Sequence, residues 1–209
     1  MLLVRHGQST WNSEHRIQGQ LDPPLSEEGR RQAERVGRRL AGRRLAGFYS
    51  SDLKRAFETA QAIGVATGMQ AEPTPGLREI YLGEWEGLHT DDVAQRYPDA
   101  WAKWRAEDGD WDIVPGGEGA DLFGKRVAAA VDAILQRHSH GDVLVVTHGG
   151  VIQMTLNRIV GRASRGLFPF KIQNASITVI EKRGGGLIIG GVNDTSHLDA
   201  ALVTEPGAG

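Results

Sequence analysis

Short apolar runs alternate along the chain with longer stretches in which apolar residues recur every three or four positions. That alternation predicts strands followed by helices, with a buried sheet between helical layers. Residues 2–4 predict a first short strand, and residues 26–42 a helix. Ser26 stands at its N-cap, Glu27 and Glu28 fill its first turn, and Ala33, Val36 and Leu40 share its inner face. Residues 47–50 predict a second strand, after which Asp52 is placed to cap a helix whose inner face carries Ala56, Ala60 and Ile63. The segment 121–136 is strongly amphipathic, with Val127, Val131, Ile134 and Leu135 on one face. The continuous apolar run 143–146 then predicts a central parallel strand. A helix over 150–160 follows, and 177–180 with 187–192 predict a hairpin closed across Gly184, Gly185 and Gly186. Two regions read differently. Residues 77–88 carry a mixed signal, whereas 90–112 predict two short helices, the second opened by Pro98. The residues from Leu198 to Gly209 show no packing pattern and are expected to form a free tail.

Length and composition narrow the functional classes. At 209 residues the chain is expected to form one domain over 1–209, large enough for a core without disulfides or metals. It has no cysteine, which excludes disulfides, thiolate zinc sites and cysteine nucleophiles. The formal net charge of -2 argues against nucleic acid as the main partner. No apolar run approaches the ~20 residues of a membrane span, and no secretory signal pattern opens the sequence, so no membrane association and a cytoplasmic location are expected.

Two histidines occupy equivalent places. His6 follows the first strand and His148 follows the 143–146 strand, each with glycine after it. In α/β sheets ligands bind beyond the carboxyl ends of the strands, where helix N-termini attract anions. Either histidine alone reads best as an ordinary residue in a strand-end loop; two together point to a site. Arg5 and Arg55 fall where a phosphate would need guanidinium groups. The arginines of the 26–42 helix read instead as a solvated face, with Glu27–Arg31 and Glu34–Arg38 at i,i+4 spacing. His138 and His140 raise a metal site, but no carboxylate cluster supports one, so no metal and no cofactor are expected.

Arg5-His6-Gly7-Gln8-Ser9 with Asn12, Ser50-Ser51-Asp52-Leu53 with Arg55 and Thr59, Leu77-Arg78-Glu79 with Gly83 and Trp85-Glu86-Gly87, and His148-Gly149-Gly150 resemble the motifs of the histidine phosphatase superfamily, the phosphoglycerate mutase-like family. The resemblance implies an α/β fold, a three-layer α/β/α sandwich with a mostly parallel central sheet. It implies that His6 attacks phosphorus, that Glu79 is the general acid, and that Arg5, Arg55 and, if cationic, His148 surround the phosphoryl oxygens. Asn12, Gln18, Gly19 and Gly149 match positions that contact phosphate or shape the pocket mouth. Gly119 stands where many relatives carry serine, which puts in doubt any role resting on that hydroxyl.

The resemblance also places a substrate-facing lid over 88–118. From Thr90 to Glu118 that segment holds eight acidic residues against Arg96, Lys103 and Arg105, a poor setting for a second phosphate. Tyr97, Trp101, Trp104 and Trp111 of the lid read either as pocket lining or as plain core. The expected function is phosphomonoester hydrolysis on a small phosphorylated metabolite. The alternatives are a phosphoglycerate mutase-type isomerase and a non-catalytic phospholigand-binding module. Monomer and homodimer both fit the sequence.

Overall fold

The computed structural model describes residues 1–106, 110–162 and 170–199. The chain opens with β1 (Leu2–Arg5), the single-turn α1 (Thr10–Ser13) and α2 (Glu27–Leu40). β2 (Leu45–Ser50), α3 (Lys54–Thr67) and the edge strand β3 (Glu72–Pro73) follow. Two 3-10 turns, Pro75–Leu77 and Gly83–Trp85, lead to α4 (Thr90–Arg96) and α5 (Pro98–Arg105). α6 (Gly119–Arg137), β4 (Asp142–Thr147), α7 (Gly149–Val160) and the hairpin β5 (Ile177–Arg183) and β6 (Gly186–Asp194) complete the order.

The six strands form one sheet in the order β3-β2-β4-β1-β5-β6. β1 to β4 pair in parallel and β5 turns back antiparallel beside β1, giving the mostly parallel sheet. Alternation along the central strands divides the core between the two faces. Leu2, Val4, Leu144 and Val146 pack with Val36 and Leu40 of α2 and Ala56, Ala60 and Ile63 of α3. Leu3, Val143 and Val145 pack with Phe123, Val127 and Val131 of α6 and Val151, Ile152 and Leu156 of α7. The result is the three-layer α/β/α sandwich. Among the described residues no helix is long and apolar enough to cross a membrane.

Two local expectations are corrected. Asp52 does not cap α3: the N-cap is Leu53, without a side-chain bond, and Asp52 is held bidentately by Arg78. The cap arrives from elsewhere, since Asp22 accepts the Lys54 N–H at 2.6 Å. The helix N-terminus took a carboxylate supplied by the fold, leaving Asp52 free for a cation. The start of the tail is also attached. Ser196–Leu198 forms a 3-10 turn, Leu198 packs against the α2/α3 side of the core, and its carbonyl accepts from Arg35 at 2.7 Å. The rest of the expected tail, from 200 on, lies outside the described residues. On α2, Arg31 pairs with Glu27 and with Glu28, while Arg35 serves the C-terminal turn.

Candidate active site

The register of the sheet sets the site. Arg5 of β1 lies opposite Thr147 of β4, so the next residues, His6 and His148, emerge side by side at the carboxyl ends of adjacent parallel strands. The His6 N–H donates to the Thr147 carbonyl at 2.9 Å, and the two imidazoles meet edge to face with centroids 5.1 Å apart. β2 lies on the other side of β4 and delivers Ser51 to the same row, its N–H bonded to the Val146 carbonyl at 2.9 Å.

His6 is buried, and its Nδ1 lies 2.7 Å from the Gly7 carbonyl. A carbonyl only accepts, so Nδ1 carries the proton and the Nε2 lone pair is free. Burial, then the charges of Arg55 and Arg5, hold the His6 pKa well below the ordinary histidine range. The ring is therefore neutral at neutral pH, as a nucleophile must be. The turn that aims it depends on glycine: a Cβ at Gly7 would collide with the Gly29 carbonyl in the first turn of α2. The Gly7 N–H donates to Thr59 of α3 at 3.0 Å, tying the loop down from the other side.

Arg55 is buried and Arg5 partly buried, and neither cation hydrogen-bonds a carboxylate among the described residues. Arg55 donates to the Gly19 and Leu21 carbonyls at 2.7 and 2.8 Å, and Arg5 donates to the Ile172 carbonyl. Burial lowers both guanidinium pKa values, that of Arg55 to about 10, so both stay charged at neutral pH. Their Nε–H groups and His148 Nδ1 are buried with no hydrogen-bond partner among the described residues. Unmatched buried donors beside two positive charges are costly in isolation, and an anion offsets that cost.

Glu79 approaches from the loop between the 3-10 turns. Its carboxylate accepts from the N–H groups of Ile80 and of Gly150, in the first turn of α7, at 3.0 and 3.1 Å. Arg126 of α6 anchors this loop by donating to the carbonyls of Gly76, Arg78 and Glu79 while pairing with Glu118. Two neighbouring carboxylates, Glu84 and Glu86, make other contacts. Glu84 is exposed and accepts from the Tyr97 hydroxyl. Glu86 accepts from the N–H groups of Gln20 and Leu82, and burial raises its pKa.

A cavity of about 270 Å³ is lined by Arg5, His6, Arg55, Glu79, Gln18 and Gly19, with Ile17, Ile80, Leu82 and Trp104 forming an apolar wall. Arg16, Gly150 and Gln153 complete it. His148 is fully buried behind the cavity with Nε2 2.8 Å from Ser51 Oγ. Burial, then Arg55, holds its pKa well below the ordinary range, so the ring is neutral and the condition of a cationic His148 is not met. Asn12 is not in the cavity wall. Its Oδ1 accepts from Ser9 in the cap of α1 and from Asn174, which also donates to the His6 carbonyl. Gly149 opens α7 against the Arg5 guanidinium. Sequence reasoning assigned no role to Ser51, Arg16, Gln20, Arg126, Gln153 or Asn174. Ser51 lay inside a recognised motif, but its partner is 97 positions away.

Only Trp104 of the four lid aromatics reaches the cavity. Of the others, Trp111 is core and the partly buried Tyr97 and Trp101 pack against it: Trp85 is fully buried, with Tyr97, Trp101 and Trp104 around it, and Trp104 stacks on Trp111 at 5.5 Å. None of the described lid acids lines the cavity, so the expected electrostatic argument does not operate there. Asp112 instead accepts the Ala120 N–H at the start of α6, and Glu118 pairs with Arg126. His138 bonds the Tyr49 hydroxyl at 2.7 Å, and the described residues contain no cluster of His, Cys, Asp or Glu suited to a metal ion.

An α/β/α sandwich that gathers two neutral histidines and two arginines at adjacent strand ends, with the Glu79 carboxylate brought over them by a loop, defines a protein built for a small anion. More narrowly, the chain belongs to the histidine phosphatase superfamily (branch 1), whose family model matches residues 1–195. It is 37% identical to an Arabidopsis thaliana protein named metal-independent phosphoserine phosphatase, over 99% of this chain and 86% of that one. Phosphoglycerate mutase-like protein 4 of the same plant is also 37% identical, over 100% and 91% of the two chains. Among solved structures, Bacillus stearothermophilus YhfR superposes with a TM-score of 0.86 at 35% identity, covering 95% of this chain and 98% of that one. A mycobacterial glucosyl-3-phosphoglycerate phosphatase complexed with VO3 gives 0.79 at 32% identity, over 92% and 98%.

Proposed function

We propose that the chain is a metal-independent phosphomonoester hydrolase working through a phosphohistidine on His6. The observation that carries this is the state of His6: a neutral ring with Nδ1–H committed to a carbonyl and Nε2 free, beside Arg5 and Arg55, whose charges have no hydrogen-bonded carboxylate among the described residues. Nε2 attacks phosphorus, and the P–O ester bond breaks with its electron pair passing to the leaving oxygen. The Glu79 carboxyl gives that oxygen its proton. Water then attacks the phosphohistidine, losing a proton to the Glu79 carboxylate, and the P–N bond breaks to restore His6. Arg5, Arg55 and the His148 donor meet the charge spread over the phosphoryl oxygens.

Hydrolysis is favoured over phosphoryl return to a second site by the cavity mouth. Beyond the arginines that face phosphate, the wall is Ile17, Ile80, Leu82 and Trp104, and the added cation is Arg16. Arg16 is already committed to the Gly87 carbonyl, to His89 and to Glu14. Among the described residues this leaves little to hold the second phosphate of a bisphosphorylated intermediate. The names of the relatives support a small phosphorylated metabolite, with phosphoserine the first compound to try. The test is phosphate release in EDTA from phosphoserine and other phosphomonoesters, including 3-phosphoglycerate with trace bisphosphoglycerate, for wild type and His6→Ala. Release that depends on His6, with acid-labile phosphate on the quenched protein, is expected. Isomerisation of 3-phosphoglycerate with little phosphate released would make it a mutase, and ligand binding without turnover would make it a binding module.

A further inference from the structure

We infer that Ser51 is a positioning residue that fixes the tautomer of His148, leaving Nδ1–H as the donor offered to the phosphoryl group. The three adjacent strands β2, β4 and β1 deliver Ser51, His148 and His6 in a row at their carboxyl ends. Ser51 and His148 are both fully buried, and Oγ lies 2.8 Å from Nε2. Counting protons decides the direction of that bond. The Leu53 N–H donates to Ser51 Oγ at 3.3 Å, so one acceptor position of the hydroxyl is taken. If His148 carried its proton on Nε2, Oγ would accept twice. The serine hydroxyl proton would then be buried without an acceptor among the described residues, and the bare Nδ1 lone pair would be left for an anionic ligand to meet. With the proton on Nδ1, the hydroxyl donates to Nε2, accepts from Leu53, and is satisfied.

In that arrangement the single unpartnered polar atom of the pair is Nδ1–H, buried 5.1 Å centroid to centroid from the proposed nucleophile. A neutral imidazole can then stabilise phosphoryl charge as a hydrogen-bond donor without being protonated. The serine also costs nothing at the moment of reaction, because the tautomer is set by the fold before substrate arrives. Neither Ser51 nor His148 is among the residues lining the cavity, but the His148 ring lies edge to face against that of His6 and Ser51 reaches the site through it, so Ser51 acts through His148. The functional consequence rests on the phosphohistidine reading, but the tautomer itself does not.

The deciding measurement is the ¹⁵N spectrum of the His148 ring in the wild-type protein without substrate, which reports which nitrogen holds the proton. Protonated Nδ1 with Nε2 as acceptor is expected, and Ser51→Ala should shift the population toward the other tautomer. Protonated Nε2 in the wild type overturns the inference whether or not the protein turns over phosphomonoesters. Kinetically, Ser51→Ala should lower kcat/KM toward the ~10²-fold associated with losing one preorganised donor. In a His148→Ala background the same change should cost nothing further. A full additional loss there would mean that Ser51 acts elsewhere and would also overturn it. Loss of turnover in His6→Ala, by contrast, tests the phosphohistidine reading alone.

Discussion

The proposed acid is held in place by a missing side chain. A Cβ at Gly150 would collide with Glu79 Oε1, and the Gly150 N–H is one of the two donors that orient the carboxylate. The obstructing atom is the end of a flexible side chain, so Gly150→Ala is expected to fold while swinging the carboxylate aside. kcat/KM for alkyl phosphates, whose leaving oxygen needs a proton, should fall by ~10²-fold or more. For p-nitrophenyl phosphate, which leaves unaided, the fall should be much smaller. Equal losses on both substrates would remove Glu79 as the acid. The same economy recurs at Gly19, where φ is +49° and a side chain would strike Glu86. At this scale the sequence was informative wherever chemistry sits in a contiguous motif, as with Arg5-His6 and His148-Gly149. It was silent on partners joined only through space. Asn174, 168 positions from His6, carries no local signal that it holds the His6 carbonyl.

Regular elements with a clear period were legible for the same reason that they are stable: one face of each is buried. Val127, Val131 and Ile134 of α6 face the core as their spacing requires, and the 143–146 run lies in a strand flanked on both sides by parallel partners. What periodicity could not reveal was the two-residue β3 and the use of the lid. The lid tryptophans occur in short helices where helical spacing fits core and pocket equally well, and only the packing around Trp85 separates them. That separation yields a paired prediction. Trp101→Ala removes a ring packed on Trp85 away from the cavity, so it should lower the urea midpoint and leave substrate preference unchanged. Trp104→Ala removes part of the apolar wall, so it should also weaken phosphomonoesters with bulky apolar leaving groups relative to small ones. Their discrimination should drop by about the 1–3 kcal/mol typical of a buried apolar contact. If both variants retain wild-type selectivity, the aromatic wall plays no part in substrate choice.

Across the whole molecule, the site concentrates what folding disfavours: a buried guanidinium group, a second one partly buried, and two neutral imidazoles at the end of an apolar sheet. The histidines make that cost measurable. Burial and the neighbouring arginines depress the folded-state pKa of both His6 and His148, whereas the unfolded chain protonates them near the ordinary 6.5. Between the two values the unfolded state binds more protons, so the equilibrium moves toward unfolding as acid is added. The contribution is fully present above pH 6.5 and is lost as pH falls toward the folded-state values. Each histidine can contribute a slope of up to about 1.4 kcal/mol per pH unit. His197, whose pKa burial also lowers, acts in the same direction, and Glu86, raised by burial, acts in the opposite one at lower pH. A comparison with His6→Asn/His148→Asn isolates the pair from these other groups. Urea denaturation at pH 7.0 and 5.5 should show the wild type losing more stability than the double variant over that interval. Parallel losses in the two proteins would mean that the folded state protonates the two imidazoles as readily as the unfolded chain does, which would remove the depressed pKa of His6 and His148.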